Sequence, residues 1–440
     1  MKFTSLFKKA GFATMALAAT FGLVGCGNQT ETQGEIEVVT SISEPVEIEF
    51  WHNLTGAFSD SMAEIVENFN STIGAEKGIH VNATYQGSYD DLKAKITASI
   101  KANNSPNVVQ GTVNNIMELA QSGFIQELDP YIYHDEIGIK DYEDVYKGYQ
   151  DEMSSYFETG ETLSLPFAKS TDLLFYNKTF FEENNLTPPT TWEETVEVSK
   201  KIYELTGKPG LSIDNLPNYL ITYLFQAGAE YTNQNGELLF NNETSLKAIE
   251  MLKTGMEEGY FRIAGEDKYS SGPFLAENVY MYIGTTAGEG FLNRDNFDWD
   301  TTFVPQVDVE NPVGIQQGAN IAILNQGATS EEVYASYEFI KYMISTETNT
   351  KWSMDTGYLP VRESVFNSDE YQEYLANSQG NVKLNGVKAV ENGFIEAIFQ
   401  TDSYSSAMVR NEVGTMLESI LLDGQDPVEM LDYYANTRIK

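Results

Sequence analysis

The sequence predicts an α/β chain folded as two units around a crevice. Three observations carry that prediction. Short strand-type runs alternate with segments of helical period, the alternation runs through once and starts again near residue 172, and no stretch between the halves has the composition of a flexible linker. At 440 residues, and with about 150 residues per domain as the ordinary size, two or three domains are expected.

The first round begins at "VEIEF" (46–50), which alternates apolar and acidic residues at period two, a strand with one face buried. "FSDSMAEIVENFNSTIG" follows as a helix, and "IHVNATYQG" as a second alternating strand. "SYDDLKAKITASIKANN" sets Leu92, Ile96 and Ile100 on one helical face. "NVVQGT" is a short apolar strand, and "NIMELAQSG" a helix closed by Gly123. Strand, helix, strand, helix, strand is the pattern of a parallel sheet with crossover helices. The second round opens at "DLLFYNK" (172–178), a continuous apolar run of the buried-strand kind. "TTWEETVEVSKKIYELTG" carries a capping box at Thr191 and Glu194, an apolar face of Val198, Ile202 and Leu205, and Gly207 as its stop. "NVYMYIG" and "NIAILN" read as two more short buried strands, and 331–346 as a helix with Val333, Tyr337, Ile340 and Ile344 in register. A crevice between two such units is the natural place for a ligand.

Composition narrows the function. With 65 acidic against 27 basic residues the formal charge is −38, a surface that repels nucleic acid and anionic headgroups. There is no G-x-S-x-G, H-E-x-x-H, P-loop, C-x-x-C or EF-hand sequence. Only His52, His80 and His134 are available to histidine chemistry, and His52, closing a strand in "FWHN", is the one placed to reach a cleft. No metal, cofactor or enzymatic activity is expected. The reading is of a binder, with a surface hydrolase or a structural lipoprotein as the alternatives.

The N-terminal stretch raises a separate question. Lys2, Lys8 and Lys9 precede an uncharged apolar run from Ala10 to Val24, the layout of a secretory signal. Leu23-Val24-Gly25-Cys26 resembles the lipobox of bacterial lipoproteins, in which the cysteine is acylated and becomes the N-terminus. Cys26 is the single cysteine of the chain. The resemblance therefore implies a signal peptide over 1–25, a lipidated polar tether over 26–44, and a body anchored outside the cell membrane.

At "IEFWHNLTGAFSDSMAEIVENFN", "NATYQGSYDDLKAKI", "SPNVVQG", "LPFAKSTDLLFYNK", "TWEET" and "TGYLPVRESV", the chain resembles the extracellular solute-binding proteins of ABC importers. It looks most like the glycerol-3-phosphate-binding branch related to the maltose-binding type. The resemblance implies two hinged lobes of the type II periplasmic-binding-protein fold, expected at 45–164 with 302–348 and at 165–301 with 349–440. It also implies a monomer that delivers a small polar solute to ABC permease subunits. Carried over residue by residue, the ligand site falls on Tyr89, Ser170, Trp192, Thr285, Gly318, Tyr358 and Arg410, with Trp51, His52 and Lys169 as further candidates. The branch's acidic residue aligns near Val113, which cannot accept hydrogen bonds from glycerol hydroxyls. Hydroxyls, a backbone N–H and a guanidinium suit a phosphoester. Glycerol-3-phosphate, a glycerophosphodiester or a similar solute is therefore expected, a substituted ester fitting better than the free glycerol head because of Val113. Trp51, Tyr89, Trp192 and Tyr358 could provide the aromatic part of a sugar site, which is the alternative.

Overall fold

The computed structural model describes residues 37–154, 160–292, 296–391 and 393–440. The expected signal, Cys26 and most of the tether lie outside the described residues. Among those described, ten strands form two sheets of five. The first holds β1 (Val46–His52), β2 (Ile79–Tyr85), β3 (Val108–Gly111), β4 (Leu165–Ser170) and β10 (Gln317–Ile323), in the order β2-β1-β3-β10-β4. The second holds β5 (Asp172–Asn177), β6 (Leu211–Ile213), β7 (Phe261–Ile263), β8 (Met281–Thr285) and β9 (Trp299–Phe303), in the order β7-β6-β8-β5-β9. Helices flank both sheets, the two-lobed α/β fold that the resemblance implies.

The expected parallel sheets are mixed. β1 runs parallel to β2 and β3, but β10 is antiparallel to β3 and to β4. In the second sheet β5 is antiparallel to β8 and β9. The cause is the interleaving: β10 comes back from the second sheet to lie between two strands laid down earlier. β4 belongs to the first sheet and β5 to the second, so the chain changes sheet at Thr171. Thr302 and Phe303 still belong to β9 of the second sheet, and the Thr346–Asp355 helix packs on the Ala57–Ser71 helix of the first lobe.

The local expectations hold where a buried face fixes the period. Leu92, Ile96 and Ile100 are buried on the Tyr89–Lys101 helix, and Val333, Tyr337 and Ile340 on Ser330–Met343. The box at Thr191 and Glu194 opens Trp192–Thr206, which Gly207 ends in the left-handed conformation at φ 71°. Of that helix's expected face only Ile202 is fully buried, and Leu205 is exposed near its last turn. The first-lobe core is built from Phe50, Phe69 and Phe339 in edge contact, centroids 5.2–5.6 Å apart. Each fully buried ring contributes about 1.5–3 kcal/mol.

Candidate functional site

The candidate site is the place where the chain crosses between sheets. Thr171 is its pin: its Oγ1 donates to the Ile315 carbonyl at 2.8 Å, and its own carbonyl accepts from Thr286 N–H at 2.8 Å. On one side Ser170 pairs with Gln317 in the β4–β10 register, and on the other Asp172 pairs with Thr285 across β5 and β8. Leu359 N–H donates to the Lys169 carbonyl at 2.8 Å, which brings Tyr358 alongside. Ser170, Thr285, Gly318 and Tyr358, remote in sequence, therefore meet at one crossing.

Tyr358 sits over a stacked aromatic column. Its ring is 5.6 Å from Trp352 at 10°, and Trp352 is 4.6 Å from Phe167. Its other side meets Phe58 at 5.3 Å. Its carbonyl is held by the buried Lys383 Nζ at 2.9 Å, whose charge is balanced by Glu289 at 3.3 Å. Tyr89 opens its helix directly after the Ser88 cap. Burial pushes its hydroxyl up to about 12, with the Asn53 side chain opposing the shift, and burial raises Tyr358 well above the phenol range. Both stay protonated and able to donate. Tyr269, from the second lobe, adds to both shifts. Tyr269 and Phe291 are 63% and 60% exposed, large aromatic areas left open at this rim.

Arg410 stands on the second turn of Ser406–Leu422. Its Nη1 donates to Glu396 Oε1 at 2.9 Å and its Nη2 donates to Asn218 Oδ1. Asn218 Nδ2 in turn donates to Asp172 Oδ2 at 2.7 Å, and Gln317 Nε2 donates to Asp172 Oδ1 at 2.6 Å. Burial pushes the Asp172 carboxyl up, opposed by the two amides and by Arg410. One polar chain thus links Arg410 to the crossing. The lobes also touch near it: Ser406 Oγ donates to Asn114 Oδ1 at 2.5 Å, and Phe58 meets Phe291 at 6.0 Å.

Five expected residues lie elsewhere or are already engaged. Lys169 is fully buried, its Nζ 2.5 Å from Glu152 Oε2 and 5.3 Å from the Tyr149 ring centroid, so its charge is neutralised inside the first lobe. Trp192 is a packing residue of the second lobe, edge-on to Tyr219 at 5.2 Å, with Nε1 donating to Gln226. Val113 packs in an apolar cluster with Ile116 and Leu92, and Trp51 lies half-buried against the same cluster. His52 is buried; its Nδ1 accepts from Leu54 N–H at 3.2 Å, and burial lowers it to about 4, so it is neutral at pH 7. Gly318 is required by close approach: at φ 107° a Cβ would stand 2.0 Å from the Ala168 carbonyl oxygen.

Asp172, Asn218, Gln317, Glu396, Tyr269 and Phe291 were not singled out by the sequence. A signal existed for Asn218, a lone amide inside the apolar helix "LPNYLITYLF", and for Asp172, a charge heading a buried strand. Among the described residues, no group of three or more His, Cys, Asp or Glu could hold a metal ion, and no helix is long and apolar enough to cross a membrane.

The profile of the bacterial extracellular solute-binding proteins matches residues 64–378. The sn-glycerol-3-phosphate-binding periplasmic protein of Escherichia coli K12 is 24% identical over 365 residues, 79% of this chain and 80% of that protein. Its Yersinia pseudotuberculosis counterpart is 25% identical over 357 residues, 76% and 78% of the two chains. Among solved structures, the Mycobacterium tuberculosis UgpB complex with glycerophosphocholine superposes with a TM-score of 0.78 at 20% identity, over 89% of this chain and 96% of that one. The cyclic α-maltosyl-1,6-maltose binding protein of Arthrobacter globiformis gives 0.74 at 22% identity, over 90% and 99%. The profile spans most of the chain, and the fold is that of these proteins. The chain belongs to the bacterial extracellular solute-binding protein family, non-catalytic receptors of ABC importers that clamp a small polar solute between two lobes.

Proposed function

We propose that the solute is a glycerol phosphoester, held at the crossing and released to the permease. The observation that supports this reading is convergence: strand pairing brings Ser170 and Thr285 to one crossing beside Tyr358, and a polar chain links that crossing to Arg410. Protonated hydroxyls and a guanidinium are the donors a phosphate requires. The names of the curated relatives, sn-glycerol-3-phosphate-binding proteins, support the same class. A neutral oligosaccharide is the second reading, favoured by the exposed aromatic rim and by the carboxylates Glu396 and Asp172, which already balance Arg410. Calorimetry with sn-glycerol 3-phosphate and maltotriose separates them. Heat of binding from the ester, weakened by added salt, supports the first; binding of maltotriose alone refutes it.

Binding is expected to draw the lobes together, since Tyr89 and Asn114 on one side and Tyr269 and Ser406 on the other must reach a ligand at once. X-ray scattering curves that superimpose with and without a saturating ligand refute the clamp. We also propose that the body is tethered to the membrane through lipidated Cys26. Membrane fractionation of Cys26→Ser tests it: the variant is expected in the medium or as uncleaved precursor, and retention equal to wild type refutes the anchor.

A further inference from the structure

Residues 393–405, which lead into the Ser406–Leu422 helix, run as a strap whose side chains divide between the lobes. Phe394 and Phe399 are buried in the second-lobe core. Ile398, only 7% exposed, is buried with Leu92, Val109 and Ile116 of the first lobe, and Ile395 packs against the same cluster. At the end of the strap, Ser405 and Ser406 reach the first-lobe helix Val113–Gln121. Ser405 Oγ accepts the Met408 N–H at 3.2 Å as the helix cap and donates to Glu118 Oε1 at 3.2 Å. Ser406 meets Asn114 beside it. Lys93 Nζ holds the other oxygen of Glu118 at 2.7 Å. The carboxylate is thereby aimed at the N-terminus of a 17-residue helix, where negative charge is favoured.

These contacts lie on the ligand side of the molecule. Gly111 pairs with Asn320 and Ser170 with Gln317, so the carboxyl end of β3, where the Val113–Gln121 helix begins, shares one sheet edge with the crossing. Arg410 stands one turn beyond Ser406, and the strap itself carries Glu396, whose Oε1 holds Arg410. A bond on this side breaks when the lobes swing apart and re-forms when they meet. Both of its partners are protein atoms, so it favours the closed form whichever solute is bound.

We propose that the strap and the Val113–Gln121 helix form a latch between the lobes. Glu118 and Ile398 hold a share of the unliganded receptor closed and position the helix that carries Arg410. They act through the closed form and not through contact with the solute. The inference stands apart from the phosphoester reading. The bound state is the closed one, so apparent affinity scales with the closed share, for a phosphoester and a sugar alike.

The test compares wild type with Glu118→Ala, by small-angle X-ray scattering without solute and by calorimetry with sn-glycerol 3-phosphate and maltotriose. Glu118 is half-buried on a helix, where alanine is the best former, so the variant should fold and melt close to wild type. Two results are expected. The unliganded variant has the larger radius of gyration, and each probe that binds wild type binds the variant about 5- to 50-fold more weakly, by a common factor. Ile398→Ala, which withdraws the strap's anchor from the other lobe, should move both readings the same way. Lys93→Ala removes the salt bridge but not the Ser405 bond, and should stay within about 3-fold of wild type. Superimposable scattering curves for unliganded wild type and Glu118→Ala overturn the latch. A loss confined to one probe also overturns it, because it places Glu118 against the solute. If maltotriose alone binds, the phosphoester reading fails, and an equal scattering shift and loss of maltotriose affinity still uphold the latch. If neither probe binds, the scattering comparison decides the latch by itself.

Discussion

The contact between Arg410 and Glu396 offers the sharpest test of what the cleft was built for. Glu396 Oε1 lies 2.9 Å from the guanidinium, and both side chains are mostly buried, at 21% and 11% exposure. A phosphate taking the opposite edge of the guanidinium would sit about 6 Å from the Glu396 carboxylate, and at an effective dielectric of about 20 their repulsion is ~2–3 kcal/mol. Glu396→Gln keeps the volume and an oxygen for Arg410 while removing that repulsion. On the phosphoester reading, affinity for sn-glycerol 3-phosphate should rise about 30- to 150-fold, with maltotriose changed by less than about 3-fold. The cost to the unliganded fold is small, because the lost ion pair is replaced by an amide hydrogen bond worth about 1 kcal/mol less. Paired titrations of wild type and Glu396→Gln at two salt concentrations are the assay. The gain should shrink at high salt, since it is electrostatic. If anion affinity is unchanged or falls, Glu396 is not competing with the ligand for Arg410, and the reasoning fails.

Further predictions concern the scaffold. Lys169→Met should destabilise by about 3–5 kcal/mol, because Glu152 keeps a buried charge without its cation, and the double variant Lys169→Met/Glu152→Leu should recover most of that loss in urea unfolding. Gly318→Ala drives a Cβ to 2.0 Å from the Ala168 carbonyl oxygen, so a loss above ~2 kcal/mol is expected; a variant that melts with wild type shows that the β4–β10 pairing is wrong there. His52, lowered to about 4 by burial, favours the native state above its ordinary 6.5, and that contribution is lost as pH falls toward 4. Asp214, raised to about 6 chiefly by burial, acts oppositely: its contribution is present below 3.8 and is lost as pH rises through 6. Melting curves from pH 4 to 7 should therefore show less acid destabilisation for His52→Gln and more for Asp214→Asn. Parallel pH profiles for the two variants and wild type would contradict both assignments.

What the sequence determined on its own was whatever depends on near neighbours. Period and caps are local, so the Thr191–Glu194 box, the Gly207 stop and the buried faces of Tyr89–Lys101 and Ser330–Met343 were all legible. The two-unit α/β plan was legible for the same reason. Motifs in order pointed further, to Tyr89, Ser170, Thr285, Tyr358 and Arg410, but could not say which side chains remain free. That depends on partners far along the chain. Lys169 is taken by Glu152 inside the first lobe, and Arg410 is shared between Glu396 and Asn218. Trp192 is absorbed by Tyr219, and Val113 by an apolar cluster. Strand direction was equally hidden. An apolar run such as "NIAILN" reads the same in either sense, and only the return of β10 between β3 and β4 makes the first sheet mixed and sets the crossing at Thr171. Charge neutralisation and chain crossing are long-range facts, and the tertiary structure alone decides them.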